Sequence, residues 1–383
     1  MTTQAIPLLL GMLAACGPHT DSGDTVDTVD TGDPIPSLTL LEVHTVAAGS
    51  FGRVLPRSDG FDLGMVTVDN EHHLLSFDEA WRPTGDDLRL SEQGPREPDM
   101  TLSQGEQGLF HSRLTKDDTG PGIELRTLDP DATVVATSGH LLQQDDERAL
   151  DATVLVTTDR AWLGTEYRQD GEHWHDNIAP QPELERGLLL RELSLELDLL
   201  ATHRLTATIP GAIPDGQFWG LGAAQLRDDR AHWVFAAAAS GGDDHFDAGE
   251  SAGARRIWAL EYDMDLQFVQ AHGPLTPEDQ DSYWCTGVVR DGDLLLISYT
   301  FRRPADGPVM GPPTPDGGNI GLLLADGDLE ILERLELSDH TSDELADGKG
   351  AHRSSIRAQG DTFWVSWDDR EGIHVQAIEV KGQ

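Results

Sequence analysis

YWCTGVVRDGDLLLISYT (283–300) and, further along, IGLLLADGDLEILERLEL (320–337) decide the fold. Each holds two short apolar runs around a turn of Asp and Gly. Runs of this length, bounded by turn residues, read as paired strands, and Asp-Gly chemistry reads as hairpin turns. Together the two stretches make two hairpins, or four strands.

The same two patterns recur along the chain. Copies of the first are FDLGMVTVDNEHHLLSFD (61–78), DMTLSQGEQGLFHSRL (99–114), LDATVLVTTDRAWLGTEY (150–167), FWGLGAAQLRDDRAHWVFAA (218–237) and HRSSIRAQGDTFWVSWDD (352–369). Copies of the second are IELRTLDPDATVVAT (123–137), LLLRELSLELDLLATHRL (188–205) and RIWALEYDMDLQFVQAHG (256–273). Alone, 188–205 has the Leu and Glu content of a helix; its match to the other copies makes it a hairpin. Units starting near 61, 99, 150, 218, 283 and 352 predict an all-β fold, a β-propeller with six blades of four antiparallel strands. Five or seven blades are the alternatives in count. A β-sandwich pair or β-solenoid is the alternative in architecture, but a sandwich pair requires a central linker that the sequence lacks. The last unit has three strands, ending with IHVQAIEV (373–380). SLTLLEVHTV (37–46) is a spare strand that can complete it, closing the ring and hiding an edge. FGRVLP (51–56) then becomes the inner strand of the first unit. WD40, kelch and sialidase-box signatures are absent.

The N-terminus has a different character. Residues 1–15 carry no charge, and the apolar run Ile6 to Ala15 is too short to span a bilayer. It reads as a signal peptide. Leu13-Ala14-Ala15-Cys16 resembles the lipobox of bacterial lipoproteins, although the usual basic residue near the start is missing. The resemblance implies lipidation of Cys16 (palmitate) and cleavage before it. It also implies a protein held in the cell envelope of a Gram-negative bacterium, and Gly17 after the cysteine favours the outer membrane. Residues 16–36 place Asp at 21, 24, 27, 30 and 33 among Thr, Ser, Val and Gly. Such a segment has nothing to bury and reads as an extended tether. The domains expected are therefore signal peptide 1–15, lipidated tether 16–36 and propeller 37–383.

The formal charge is −41, from 27 Lys and Arg against 68 Asp and Glu. The tether holds five of the acids and no base, leaving 27 basic against 63 acidic residues, or −36, beyond residue 36. A chain this acidic repels polyanions, so no nucleic-acid partner is expected. Anionic ligands need a local Arg cluster or a bound cation. Two cysteines make neither a disulfide framework nor, alone, a structural zinc site.

Catalytic motifs are scarce. No Gly-x-Ser-x-Gly, no HExxH and no phosphate-binding glycine loop occurs. Cys285, in a strongly acidic chain, reads as a buried thiol. The functional constellation must therefore come from the fold. Propeller ligands commonly sit where the inner strands open, which makes Arg53, Asp99, Asp151, Trp219, Trp284, His352 and Arg353 the candidate catalytic or ligand-binding residues. Arg96-Glu97-Pro98-Asp99 resembles the acidic strand starts of five-bladed glycoside hydrolases, where facing carboxylates act as acid and base. Asp243, Asp244, Asp247 and Glu250 offer oxygen ligands for calcium, without EF-hand spacing. His173 and His175 share a strand face and suit zinc, whereas the adjacent His72 and His73 point to opposite faces. The leading expectation is a lipid-anchored monomeric binding module for a glycan, protein or small ligand that requires no cofactor. The alternatives are a secreted glycoside hydrolase or lyase and a structural envelope protein.

Overall fold

A computed structural model describes residues 36–91, 101–105, 108–142, 147–168, 186–205, 224–227, 232–240, 255–303 and 317–381, apart from positions 70, 132, 264, 292, 293, 348 and 353. The apolar runs become strands. Strand β1 (Ser37–Ala47) precedes a first sheet of β2 (Ser50–Arg57), β3 (Gly60–Val66), β4 (His72–Asp78) and β5 (Pro83–Ser91). The second sheet is β6 (Thr101–Gly105), β7 (Gly108–Asp117) and β8 (Gly120–Leu128), with the short β9 (Val134–Thr137) and β10 (Leu141–Leu142) both on β8. The third is β11 (Glu147–Val156), β12 (Ala161–Arg168), β13 (Arg186–Leu193) and β14 (Leu199–Leu205). The fourth is β15 (Ala224–Arg227), β16 (His232–Ser240), β17 (Arg255–Asp263) and β18 (Phe268–His272). The fifth is β19 (Asp281–Asp291), β20 (Leu294–Arg302), β21 (Asn319–Ala325) and β22 (Ile331–Glu336). After the short helix α1 (Ser342–Ala346), the last sheet is β23 (Ser355–Gln359), β24 (Thr362–Asp369) and β25 (Gly372–Lys381), with β1 as its outer strand.

The first strands of these sheets lie side by side in a cycle. β2 contacts β6, β6 contacts β11, β11 contacts β15, β15 contacts β19, β19 contacts β23, and β23 returns to β2. The architecture is an all-β propeller of antiparallel sheets. One boundary differs from the sequence reading. The copy at 61–78 is β3–β4, the middle hairpin of its sheet, while the other first-pattern copies supply strands one and two. The phase slip arises because β2 and β3 are joined by a turn, Ser58-Asp59, too short to resemble the other repeats. The 188–205 segment is the hairpin β13–β14.

The strongest repeat in the structure is a five-residue hairpin turn between the third and fourth strands. In Asp326–Glu330 the Asp326 carboxylate accepts from the Asp328 and Glu330 amides at 2.9 and 3.0 Å. Leu329 closes the turn in the left-handed region at φ 66°. Asp78 with Trp81, Ser194 with Leu197, and Asp263 with Leu266 repeat the arrangement. A left-handed Leu is conformationally unfavourable. Burial offsets that here, since Leu197, Leu266 and Leu329 are all buried.

The core lies between neighbouring sheets. Val54, Phe61 and Leu63 of the first sheet pack on Ile373 and Val375 of the last. Leu322 and Leu324 of the fifth pack on Ile356, Phe363 and Val365 of the last. Leu55 and Leu74 of the first pack on Leu102 and Leu109 of the second.

A polar pair sits in the last of these interfaces. His72 Nδ1 and His111 Nε2 are 2.9 Å apart, and His111 is fully buried. His73 turns the other way, toward Asp87 and Glu71, as strand alternation requires. Burial, then the charges of His72, Arg126 and Arg113, hold His111 well below its ordinary value of 6.5. The folded state therefore refuses a proton that the unfolded chain accepts, and stability should fall as pH drops below about 6.5. His111→Gln should flatten that part of the pH dependence of the urea midpoint. An unchanged slope would place the acid sensitivity elsewhere.

Candidate functional site

Two arginines project from neighbouring inner strands, β2 and β23. On β23, Ile356 faces the core between the fifth and last sheets, so alternation turns Arg357 the other way, toward β2. Its guanidinium reaches past β2 to the second sheet. Nη2 donates to the Leu102 carbonyl of β6 at 2.5 Å, and Nη1 donates to the Ile356 carbonyl at 2.7 Å. Arg53, on β2, is buried and donates through Nη1 to the Gly52 carbonyl at 3.2 Å. Arg357 is half-buried. Burial and the charge of Arg53 push Arg357 down to about 10, so its guanidinium remains charged at neutral pH. Among the described residues no carboxylate pairs with Arg357. The two arginines thus lie on adjacent inner strands.

The backbone around Arg53 is irregular. The β2–β3 register shifts between Ser50 and Arg53, and Phe51 is left-handed at φ 55°. Its amide donates to Asp368 Oδ1 at 3.1 Å. At Gly52 a Cβ would stand 2.4 Å from Ile373 Cγ2, so glycine lets β2 close on the last sheet. Ser366 Oγ donates to the Gly52 carbonyl at 2.9 Å. Register also breaks in two other inner strands, between Arg148 and Thr153 in β11 and between Tyr283 and Gly287 in β19. Bulges re-aim side chains and are frequent beside functional sites.

A second polar group lies at the same end of the last sheet. Asp368 accepts the His352 amide on its carbonyl at 2.7 Å, with His352 Nδ1 3.6 Å from its carboxylate. Asp369 stands 2.9 Å from His374 Nε2 and 3.7 Å from His340 Nε2. Burial pushes the Asp369 carboxyl up. The His374 contact, the Glu371 amide and the charges of His374 and His340 outweigh it, leaving the group below its ordinary value.

The structure thus brings Arg53 and His352 to the inner end of the sheets. Asp151 and Trp284 lie on the inner strands β11 and β19, but within the irregular stretches rather than at the strand starts expected from the sequence. Bulges displaced the boundaries, and only the backbones of these two residues are described. Asp99, Trp219, Arg353, Cys16, His173, His175 and the acidic group Asp243, Asp244, Asp247 and Glu250 lie outside the described residues. Among the described residues no cluster of His, Cys, Asp and Glu could hold a metal, and no helix is long and apolar enough to cross a membrane.

Sequence reasoning missed Arg357. The signal was present: SIRAQ (355–359) is an inner strand with one charge at its centre, opposite the phase of Ile356.

No family model matches the chain, and no curated protein matches it. Solved structures match it at very low identity. A member of the DUF4221 family from Bacteroides vulgatus has 8% identity and a TM-score of 0.45, covering 91% of this chain and 99% of its own. A subtype N10 neuraminidase-like protein of A/little yellow-shouldered bat/Guatemala has 9% identity and a TM-score of 0.47, covering 90% and 100%. An α-L-arabinofuranosidase from Fusarium graminearum, bound to an iminosugar inhibitor, has 11% identity and a TM-score of 0.48, covering 89% and 97%. At these scores no residue role passes from them to this chain. The class rests on the strand order itself: an all-β propeller of antiparallel strands.

Proposed function

We propose that this chain is a lipid-anchored envelope protein whose propeller is a binding module, with the ligand seated where the inner strands converge. In this reading each of the six sheets is one blade, Cys16 carries the lipid, and residues 16–36 hold the domain off the membrane. A glycan, a protein or a small molecule is the ligand, and the site needs no cofactor. The observation that supports it is the pair of inner-strand arginines, Arg53 and Arg357, at the centre of the cycle of first strands. Propellers present ligands at this position because every sheet contributes one strand to it. A glycoside hydrolase or lyase needs two facing carboxylates instead.

Two experiments test the reading. A carbohydrate array probed with the full chain should show saturable binding to a restricted set of glycans. Failure on the array together with capture of a defined envelope protein would redirect the site to protein ligands. Turnover of a glycan on the array would favour the hydrolase. For the anchor, Cys16→Ala should release the protein into the soluble fraction, and continued membrane association would contradict lipidation.

A further inference from the structure

We infer that a single imidazole clips the outer strand onto its sheet at two places in the ring, His374 in the last sheet and His140 in the second, so that each outer edge is secured separately from the inner strands. The inference is independent of the binding-module reading.

The two places share their geometry. Asp369 ends β24 and Asp117 ends β7, the second strands of their sheets. The turn that follows is the same in both. The amide two residues on, Glu371 or Thr119, donates to the Asp Oδ1 at 2.7 Å. The next strand then starts at a glycine, Gly372 at φ 136° or Gly120 at φ 132°. An imidazole lies against each Asp. His374 Nε2 stands 2.9 Å from Asp369 Oδ1, and His140 Nε2 stands 3.4 Å from Asp117 Oδ1. The other ring nitrogen is hydrogen-bonded to a threonine. His374 Nδ1 is 3.0 Å from Thr45 Oγ1, and His140 Nδ1 is 2.8 Å from Thr115 Oγ1. The threonine bonds are directional, and the carboxylate contacts are electrostatic.

The two rings come from different parts of the chain. His374 lies on β25, two residues after Gly372. The matching position on β8 is Gly122, where a Cβ would stand 2.4 Å from His140 Cε1. From the segment between β9 and β10, His140 therefore fills the place that a side chain at 122 would take. A ring position reached by two routes reflects a need of that position and not of the local sequence.

The need is at the outer edge. In the last sheet the threonine belongs to the outer strand β1 and the ring to β25. In the second sheet the roles are exchanged: the ring directly precedes the outer segment β10, and Thr115 belongs to β7. Both edges lose regular pairing at this level. The β1 register shifts between Thr45 and Ala47. The outer edge of β8 is divided between β9 and β10, with His140 in the gap. Where the ladder breaks, backbone bonds no longer hold the edge. An imidazole can replace them because each of its two nitrogens takes its own partner.

Hydrogen–deuterium exchange of the full chain, read by mass spectrometry, tests this with His374→Phe and His140→Phe. Phenylalanine keeps an aromatic ring and loses both nitrogens. His374→Phe should speed exchange in 43–47 about tenfold or more and leave 134–142 at the parent rate, and His140→Phe should do the reverse. The inner-strand segments 101–105 and 355–359 should keep the parent rates in both variants. Should a phenylalanine variant fail to fold, Thr45→Val and Thr115→Val decide. Each removes only the threonine bond and should speed the same outer segment about threefold or more. Parent rates at the outer segments would overturn the inference and leave the rings as packing alone. Equal acceleration of outer and inner strands would also overturn it, because that marks a general loss of stability.

Discussion

Deleting residues 37–47 should abolish cooperative folding. Strand β1 is the outer strand of a sheet whose other three strands come from the far end of the chain. It pairs with β25 from Ser37 opposite Lys381 to Ala47 opposite Ile373. It also ties the last sheet to both neighbours. The Leu38 amide donates to Glu333 of β22 at 2.6 Å, and Leu38 itself is in the core. On the other side, His44 stacks on Trp81 of the β4–β5 turn with ring centroids 3.9 Å apart. Gln376 donates to the Leu41 carbonyl, and Thr45 meets His374. At about 1 kcal/mol for each hydrogen bond, plus the buried Leu38, the loss is on the order of 5 kcal/mol or more. That is comparable to the whole stability of a typical domain. The deletion also bares the edge of β25, a template for aggregation. Circular dichroism melts and size-exclusion chromatography should show no cooperative transition and extensive association. A cooperative melt within a few degrees of the parent would mean that the ring holds without its N-terminal strand.

Phe363→Ala should be among the most destabilising single substitutions. Phe363 is fully buried on β24, paired across strands with Ala358 and Ile378. It packs in the cluster that joins the fifth sheet to the last, beside Leu322, Leu324, Ile356 and Val365. Removing the ring deletes its transfer free energy and leaves a cavity between two sheets that backbone pairing keeps apart. The expected cost is about 3–5 kcal/mol. In a protein of this size that corresponds to a fall in melting temperature of roughly 10 °C. Leu199→Ala, at a half-exposed outer-strand position, should cost far less. Similar melting temperatures for the two variants would contradict the placement of the core between sheets.

Much of this architecture was legible from pattern. Short apolar runs with acidic turns gave the strands, and the spare N-terminal strand was assigned to the last sheet because that sheet otherwise had three. The repeat phase failed at 61–78, where a minimal turn between β2 and β3 hid the first hairpin. The most regular element was only half recognised. The sequence reading saw acids in the turns; it did not see the Leu or Trp three residues after the leading Asp or Ser, which occupies the left-handed position. Helix α1 was not expected, although Thr341 and Glu344 form a capping box that the sequence displays.

The site was less legible, for a physical reason. Inner-strand residues acquire a role only when several sheets converge, and bulges in β2, β11 and β19 shift which side chain arrives there. Arg53 was identified from its place near the start of an inner strand. Arg357 is two residues into its strand and reaches another sheet entirely, which no local pattern reveals.

The most direct measurement is backbone NMR of the full chain during titration with a glycan selected on the array. Amide resonances of the inner strands β2 and β23 should shift together and saturate at one ligand concentration. Saturable binding that leaves those resonances in place while moving signals elsewhere would contradict a ligand seated where the inner strands converge.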